Sequence, residues 1–137
     1  MRILIVEARY HAHVADKLVD GAAAALDQGL AQFTRLSVPG VLELPGAIAL
    51  ASHHRNFDAY VALGCVLGTG AAVDTIYRET CRGLMQLSAQ GVIIGNGVLY
   101  AEQERAALAQ ADESDAGGDA ARAALALANL RERLAIL

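Results

Sequence analysis

The chain of 137 residues contains no tryptophan, two phenylalanines, two prolines, two cysteines and a single lysine, Lys17. Each shortage excludes something. Cys65 falls in an apolar strand pattern and Cys81 on a helical one, without C-x-x-C spacing, so both read as small buried hydrophobes in a reducing compartment. A net charge of −4 carried with one lysine argues against a nucleic-acid footprint, which needs clustered cations and aromatic platforms. No segment reaches the ~18 consecutive apolar residues that a membrane span requires. The start, Met1-Arg2 leading directly into a strand, lacks signal-peptide organisation, which predicts a cytoplasmic location. No metal or cofactor is expected: His11 and His13 are two apart, His53 and His54 are adjacent, and neither pair has the i,i+4 helical spacing that places two ligands on one ion.

What is present is apolar. Hydrophobic residues make up 55% of the chain, with alanine runs such as Ala22 to Ala25, above the usual fraction for a small globular protein. Such an excess is often hidden between subunits, which predicts a homo-oligomer. The length predicts one domain over residues 1–137, able to bury roughly two-thirds of its unfolded surface.

Ile3-Leu4-Ile5-Val6 is a continuous apolar run, as a strand buried on both faces requires. Val14, Leu18, Gly21, Ala22 and Ala25 follow at helical spacing up to Gly29. Gln32 to Val38 reads as a second strand, stopped by Pro39-Gly40, and a helix from about Pro45 to His54 uses proline where its missing N–H costs nothing. A third strand, Ala59 to Leu67, precedes a helix from about Asp74 to Gln90, with Asp74 as N-cap or first-turn residue. A fourth strand over Val92 to Leu99 and a polar helix from about Glu102 to Ala111 come next. The stretch Asp112 to Gly118 reads as a loop, after which Asp119 caps a terminal helix rich in alanine and leucine. Alternating strands and helices predict right-handed crossovers and a three-layer α/β/α sandwich around a four-stranded parallel sheet.

In such a sheet the carboxyl ends of the strands carry the chemistry. Three loops should therefore gather around one cleft: Arg9-Tyr10-His11, Pro39 to Glu43, and Gly68-Thr69-Gly70. Tyr10 can stack on a flat heterocycle, and Glu43 can accept hydrogen bonds from a polar ligand. Gly68-Thr69-Gly70 before a helix could cradle an anion with backbone amides, although it lacks the full G-x-G-x-x-G pattern and no P-loop lysine follows. No acid, base or strong nucleophile follows the third strand until Asp74.

Together these loops resemble the lumazine synthases of riboflavin biosynthesis, which condense 5-amino-6-ribitylaminouracil with 3,4-dihydroxy-2-butanone 4-phosphate. Ile3 to Asp16 (ILIVEARYHAHVAD) is similar to the family's first strand and A-R-aromatic loop, and Val38 to Pro45 (VPGVLELP) to its V-P-G-A-x-E-I/L-P motif. Ala62 to Leu67, Glu79 to Leu84, Ile94 to Leu99 and Gly118 to Arg131 resemble the remainder. The resemblance implies a flavodoxin-like fold and a pyrimidine site in which Tyr10 stacks on the ring, Val41, Leu42 and Glu43 line it, and Cys65, Val66 and Leu67 form its floor. It implies that Asn96 reaches the site of a neighbouring subunit in a pentamer, which some members build into a hollow icosahedral shell.

The resemblance breaks after the third strand. The family's R-G-E-T-x-H-F-D/E is replaced by Gly68-Thr69-Gly70-Ala71-Ala72-Val73-Asp74, which puts Ala72 at the position of the proton-transfer histidine and removes the arginine before the glycine. Gln110 to Ala116 replaces the basic residues that the adjacent subunit brings to the phosphate. Two readings stay open: a lumazine synthase of doubtful activity with an altered phosphate loop at Gly68, Thr69 and Gly70, or a silent homologue that serves as a scaffold or binds a flavin-like ring.

Overall fold

The computed structural model describes residues 1–137. Four strands, β1 (Arg2–Ala8), β2 (Gln32–Val38), β3 (Ala59–Leu67) and β4 (Ile94–Ala101), form one parallel sheet in the order β2-β1-β3-β4. Helices α1 (Ala12–Gln28), α4 (Glu104–Asp112) and α5 (Ala116–Ala135) cover one face, while α2 (Leu44–His54) and α3 (Ala71–Ala89) cover the other. The expected flavodoxin-like three-layer α/β/α sandwich is the architecture found.

The period of two along a strand sorts side chains between the layers. Ile3, Ile5, Val61, Leu63 and Cys65 pack under α1, α4 and α5, whereas Leu4, Val6, Tyr60, Ala62 and Val66 pack under α2 and α3. Both faces being covered, β3 is buried almost throughout, which is why its sequence runs apolar without alternation. The alanines are also used here. Ala22, Ala25, Ala120, Ala121, Ala124 and Ala128 are all buried in the chain's own core, so composition alone is no sign of a second subunit. No helix is long and apolar enough to cross a membrane.

Several expected boundaries move. Strand β4 begins at Ile94 rather than Val92 and α4 at Glu104 rather than Glu102, while α3 starts at Ala71, leaving Asp74 in its first turn. The largest correction concerns Asp112 to Gly118, of which only 113–115 is a loop. Asp115, not Asp119, caps α5, its side chain accepting from the Gly118 N–H at 3.3 Å. Gly117 and Gly118 are buried helical residues. A Cβ on Gly117 would lie 2.0 Å from the Leu18 carbonyl oxygen, so this glycine permits close packing of α5 on α1 rather than a turn.

Candidate functional site

Strand β1 sends its chain to β2 on one side, and β3 lies on its other side, so the order reverses at the β1–β3 boundary. That is where an open α/β sheet leaves a crevice at its carboxyl edge. A cavity of about 350 Å3 occupies it. Tyr10, Val41, Leu42, Glu43, Cys65, Val66 and Leu67 all line it, together with His11, Gly40, Val73 and Ile76.

Local packing explains the walls. The short 3-10 turn Val41–Glu43 lies directly on β3, where a Cβ at Gly64 would come within 2.7 Å of Val41 Cγ1. The Glu43 carboxylate accepts from the Gly40 N–H at 3.1 Å, and the Glu43 N–H donates to the Gly40 carbonyl at 3.2 Å. One carboxylate oxygen thus fixes the turn, while the other makes no hydrogen bond within the chain, on a residue that lines the cavity. Val41, Cys65 and Val66 are buried, but Tyr10 is 81% exposed and stands edge-on to His11 with ring centroids 4.9 Å apart. The cavity therefore has an apolar floor and an aromatic wall open to solvent.

The loop carrying Tyr10 and His11 is anchored from beneath. The carboxylate of Glu7, only 2% exposed, accepts from Arg35 at 2.8 Å through both oxygens and from Arg9 at 2.6 Å. Arg9 also donates to Asp16 in the first turns of α1 at 2.5 Å, and its backbone N–H reaches the Val38 carbonyl at 3.1 Å. Burial acts to raise the Glu7 pKa, but the guanidinium groups of Arg35 and Arg9 outweigh it and hold the carboxyl below the usual range.

Gly68, Thr69 and Gly70 line a different, adjoining cavity of about 730 Å3 between β3, β4 and α4. Gly68 and Gly70 hold φ of +121° and +108°, conformations that explain glycine at both positions. Asp74, Tyr100, Glu102, Gln103 and Gln110 form the remaining polar wall, and no lysine, arginine or histidine joins them. The Tyr100 hydroxyl donates to Asp74, which raises the Tyr100 pKa. Ala72, exposed in the first turn of α3, presents a methyl group. Asn96 lies apart from the switch-point cavity on the edge strand β4, its Oδ1 accepting from the Val98 N–H at 2.9 Å and its Nδ2 3.6 Å from Cys81 Sγ. Nowhere do three His, Cys, Asp or Glu side chains converge as metal ligands.

Sequence reasoning missed Val73 and Ile76. Their spacing of three was visible, but α3 had to begin at Ala71 rather than Asp74 for that face to meet the cleft. Cys65 is a wall and not a nucleophile: burial, with the Glu104 charge adding to it, pushes its thiol up to about 11. At pH 8 a maleimide should therefore label the less buried Cys81 well before Cys65, as peptide mass mapping of a labelling time course would register.

A parallel sheet covered on both faces, with a largely apolar cavity of ligand size at its switch point, defines a flavodoxin-like α/β protein with a small-molecule site. Comparison with known proteins narrows the class. The family model described as 6,7-dimethyl-8-ribityllumazine synthase matches residues 1–132. The 6,7-dimethyl-8-ribityllumazine synthase of Sphingopyxis alaskensis is 47% identical over 137 residues, covering 98% of this chain and 97% of its own. The proteins of that name from Novosphingobium aromaticivorans and Zymomonas mobilis are 49% and 42% identical, covering 96% and 97% of this chain and 97% and 98% of their own. The chain belongs to the 6,7-dimethyl-8-ribityllumazine synthase family.

Proposed function

We propose that this chain binds a ribitylaminopyrimidine in the cavity between β1, the Val41–Glu43 turn and β3, and that it carries the lumazine-forming condensation of riboflavin biosynthesis only slowly. The cavity itself is the observation that supports this reading: an exposed aromatic ring, an apolar floor and a carboxylate oxygen surround a space of about 350 Å3. Tyr10 stacks on the pyrimidine, Glu43 accepts from ribityl hydroxyls, and Val41, Leu42, Cys65, Val66 and Leu67 exclude water around the ring. The site is completed by a neighbouring copy that contributes Asn96, in a pentamer or a shell built of pentamers, acting in the cytoplasm.

The condensation joins the pyrimidine's two amines to a four-carbon ketose phosphate and releases phosphate and water. It needs a proton acceptor near the amine and cations near the leaving phosphate. Ala72 cannot take a proton, and the cavity at Gly68, Thr69 and Gly70 offers Asp74 and Glu102 where a dianion would need positive charge. A lost general base costs about 10²–10⁴ in rate, while holding two substrates together retains part of the acceleration. His11 is the imidazole at the ring cavity and the candidate for the missing base. The same loop favours the second reading, a silent homologue that binds a pyrimidine or flavin-like ring within an oligomeric scaffold.

Absorbance of the lumazine product with both substrates separates these readings. The expected rate lies above buffer and rises by about tenfold or more in Ala72→His, because the new imidazole supplies a base. A rate equal to buffer in the unaltered chain leaves the scaffold reading. Quenching of flavin fluorescence tests the ring site separately, and native mass measurement reads the assembly.

A further inference from the structure

The sheet has a second unassigned cavity at its amino-terminal edge, at the opposite ends of the strands from the ring site. It measures about 550 Å3 and lies between the α2–β3 turn, the α3–β4 turn and the last turns of α5. Ser52, Arg55, Asp58, Tyr60, Gln90 and Arg131 supply its polar wall, and Phe57, Val92 and Ile93 its apolar one.

Three donors there lack full employment within the chain. Arg55 follows α2 in the left-handed conformation, φ +55°, and its guanidinium joins no ion pair or hydrogen bond. Tyr60 is only 4% exposed, yet its hydroxyl has no protein partner. No fully enclosed side-chain oxygen or nitrogen lacks a partner anywhere in the chain, so this hydroxyl must open onto the cavity it lines. Arg131 uses Nη2 on the Asp58 carbonyl at 3.1 Å and on its carboxylate at 3.6 Å, which leaves further guanidinium donors free. Asp58 is the one carboxylate in the wall, and it is engaged twice, since it also accepts from the Arg2 N–H at 2.8 Å. The Arg2 guanidinium stands 5.7 Å from the Phe57 ring centroid and adds positive potential nearby. Burial raises the Tyr60 pKa, keeping the phenol a neutral donor.

We propose that this cavity is a binding site for a small organic anion, its carboxylate or phosphate oxygens held by Arg55, Arg131 and the Tyr60 hydroxyl, with its carbon skeleton against Phe57. The volume exceeds that of a lone inorganic ion and suits a molecule with a skeleton. The site is independent of the ring cavity and of any activity there, because no residue is shared between them.

Calorimetric titration of the full chain with inorganic phosphate, with citrate and with glycerol tests this directly. Saturable binding of either anion in the millimolar range, with none of glycerol, is expected, and the anion preferred assigns the oxygen group. Arg55→Gly suits the left-handed backbone and should weaken binding about tenfold, the worth of one charge-assisted hydrogen bond. Tyr60→Phe removes a hydroxyl with no protein partner, so it should weaken binding about threefold to tenfold while leaving the melting temperature unchanged. No saturation by either anion up to about 50 mM overturns the proposal. So does a loss in Arg55→Gly with none in Tyr60→Phe, which would reduce the site to surface charge at one arginine.

Discussion

Alanine in place of Gly95 is expected to destabilise the chain by about 3 kcal/mol or more, the upper end of what overpacking costs. The new Cβ would sit 1.8 Å from the Ala120 carbonyl oxygen and 2.7 Å from its carbonyl carbon. Both are backbone atoms of α5, so no rotamer change relieves the clash. The helix would have to lift off β4, and Ala120, Ala121 and Ala124, all buried on that face, would lose their contacts together. Gly46 in α2 is the matched control, since a Cβ there meets nothing within 4 Å and alanine should be neutral or stabilising by up to about 1 kcal/mol. Urea unfolding of the two variants reads both. A Gly95→Ala cost below about 1 kcal/mol would mean that α5 slides along the sheet instead of being held by close backbone approach.

That close approach marks where the sequence stopped being legible. Ile3 to Val6 and Ala59 to Leu67 declare themselves as strands because both their faces are buried, and an uninterrupted apolar run is the direct result. Glycine is ambiguous by comparison. Gly29, Gly68 and Gly70 end or turn elements as their pattern suggests, yet Gly117 and Gly118 sit inside α5, Gly117 because the Leu18 backbone leaves no room for a side chain and Gly118 because the capping Asp115 carboxylate occupies the space a Cβ would need. A turn and a close helix contact look alike in sequence.

The residues of the switch-point cavity were legible as a set because each lies at or just after the carboxyl end of a strand, and strand ends of a parallel sheet converge. Val73 and Ile76 were not, since they depend on where α3 begins to within one turn. The role proposed for Asn96 requires a second copy of the chain, which a single sequence specifies only through surface shape. Nor does any local pattern join Glu7 to Arg35, 28 residues away; that contact exists only once β1 and β2 pair with Glu7 opposite Ser37.

The Glu7 network should show an asymmetry that depends on which partner is removed. Arg35→Ala leaves a carboxylate that is 2% exposed with Arg9 alone, and a buried charge stripped of a partner costs about 3–5 kcal/mol. Glu7→Gln leaves guanidinium groups whose side chains are 31% and 51% exposed, so water can replace the carboxylate and the loss should be smaller, about 2 kcal/mol. Acid separates them further. Because the folded state holds Glu7 below its ordinary pKa of 4.5, the unfolded chain takes up the proton first, and stability falls as pH drops from above that value through the folded pKa. The advantage of the unaltered chain over Glu7→Gln should therefore be full at neutral pH and shrink below about pH 4.5. In Arg35→Ala, burial is opposed by Arg9 alone, the Glu7 pKa moves upward, and the deficit against the unaltered chain narrows as acid neutralises the carboxyl. Thermal unfolding of the three proteins from pH 7 to pH 4 reads both trends. A deficit in Arg35→Ala that stays constant with pH would show that Arg35 acts through packing of its aliphatic stem on β2 and not through the charge it brings to Glu7. The same variants bear on the ring cavity, since Arg9 links this carboxylate to Asp16 across the base of the Tyr10 loop. A weakened Glu7 should leave Tyr10 free to sample more orientations and so bind a stacked ring less tightly, even at temperatures where the fold is intact.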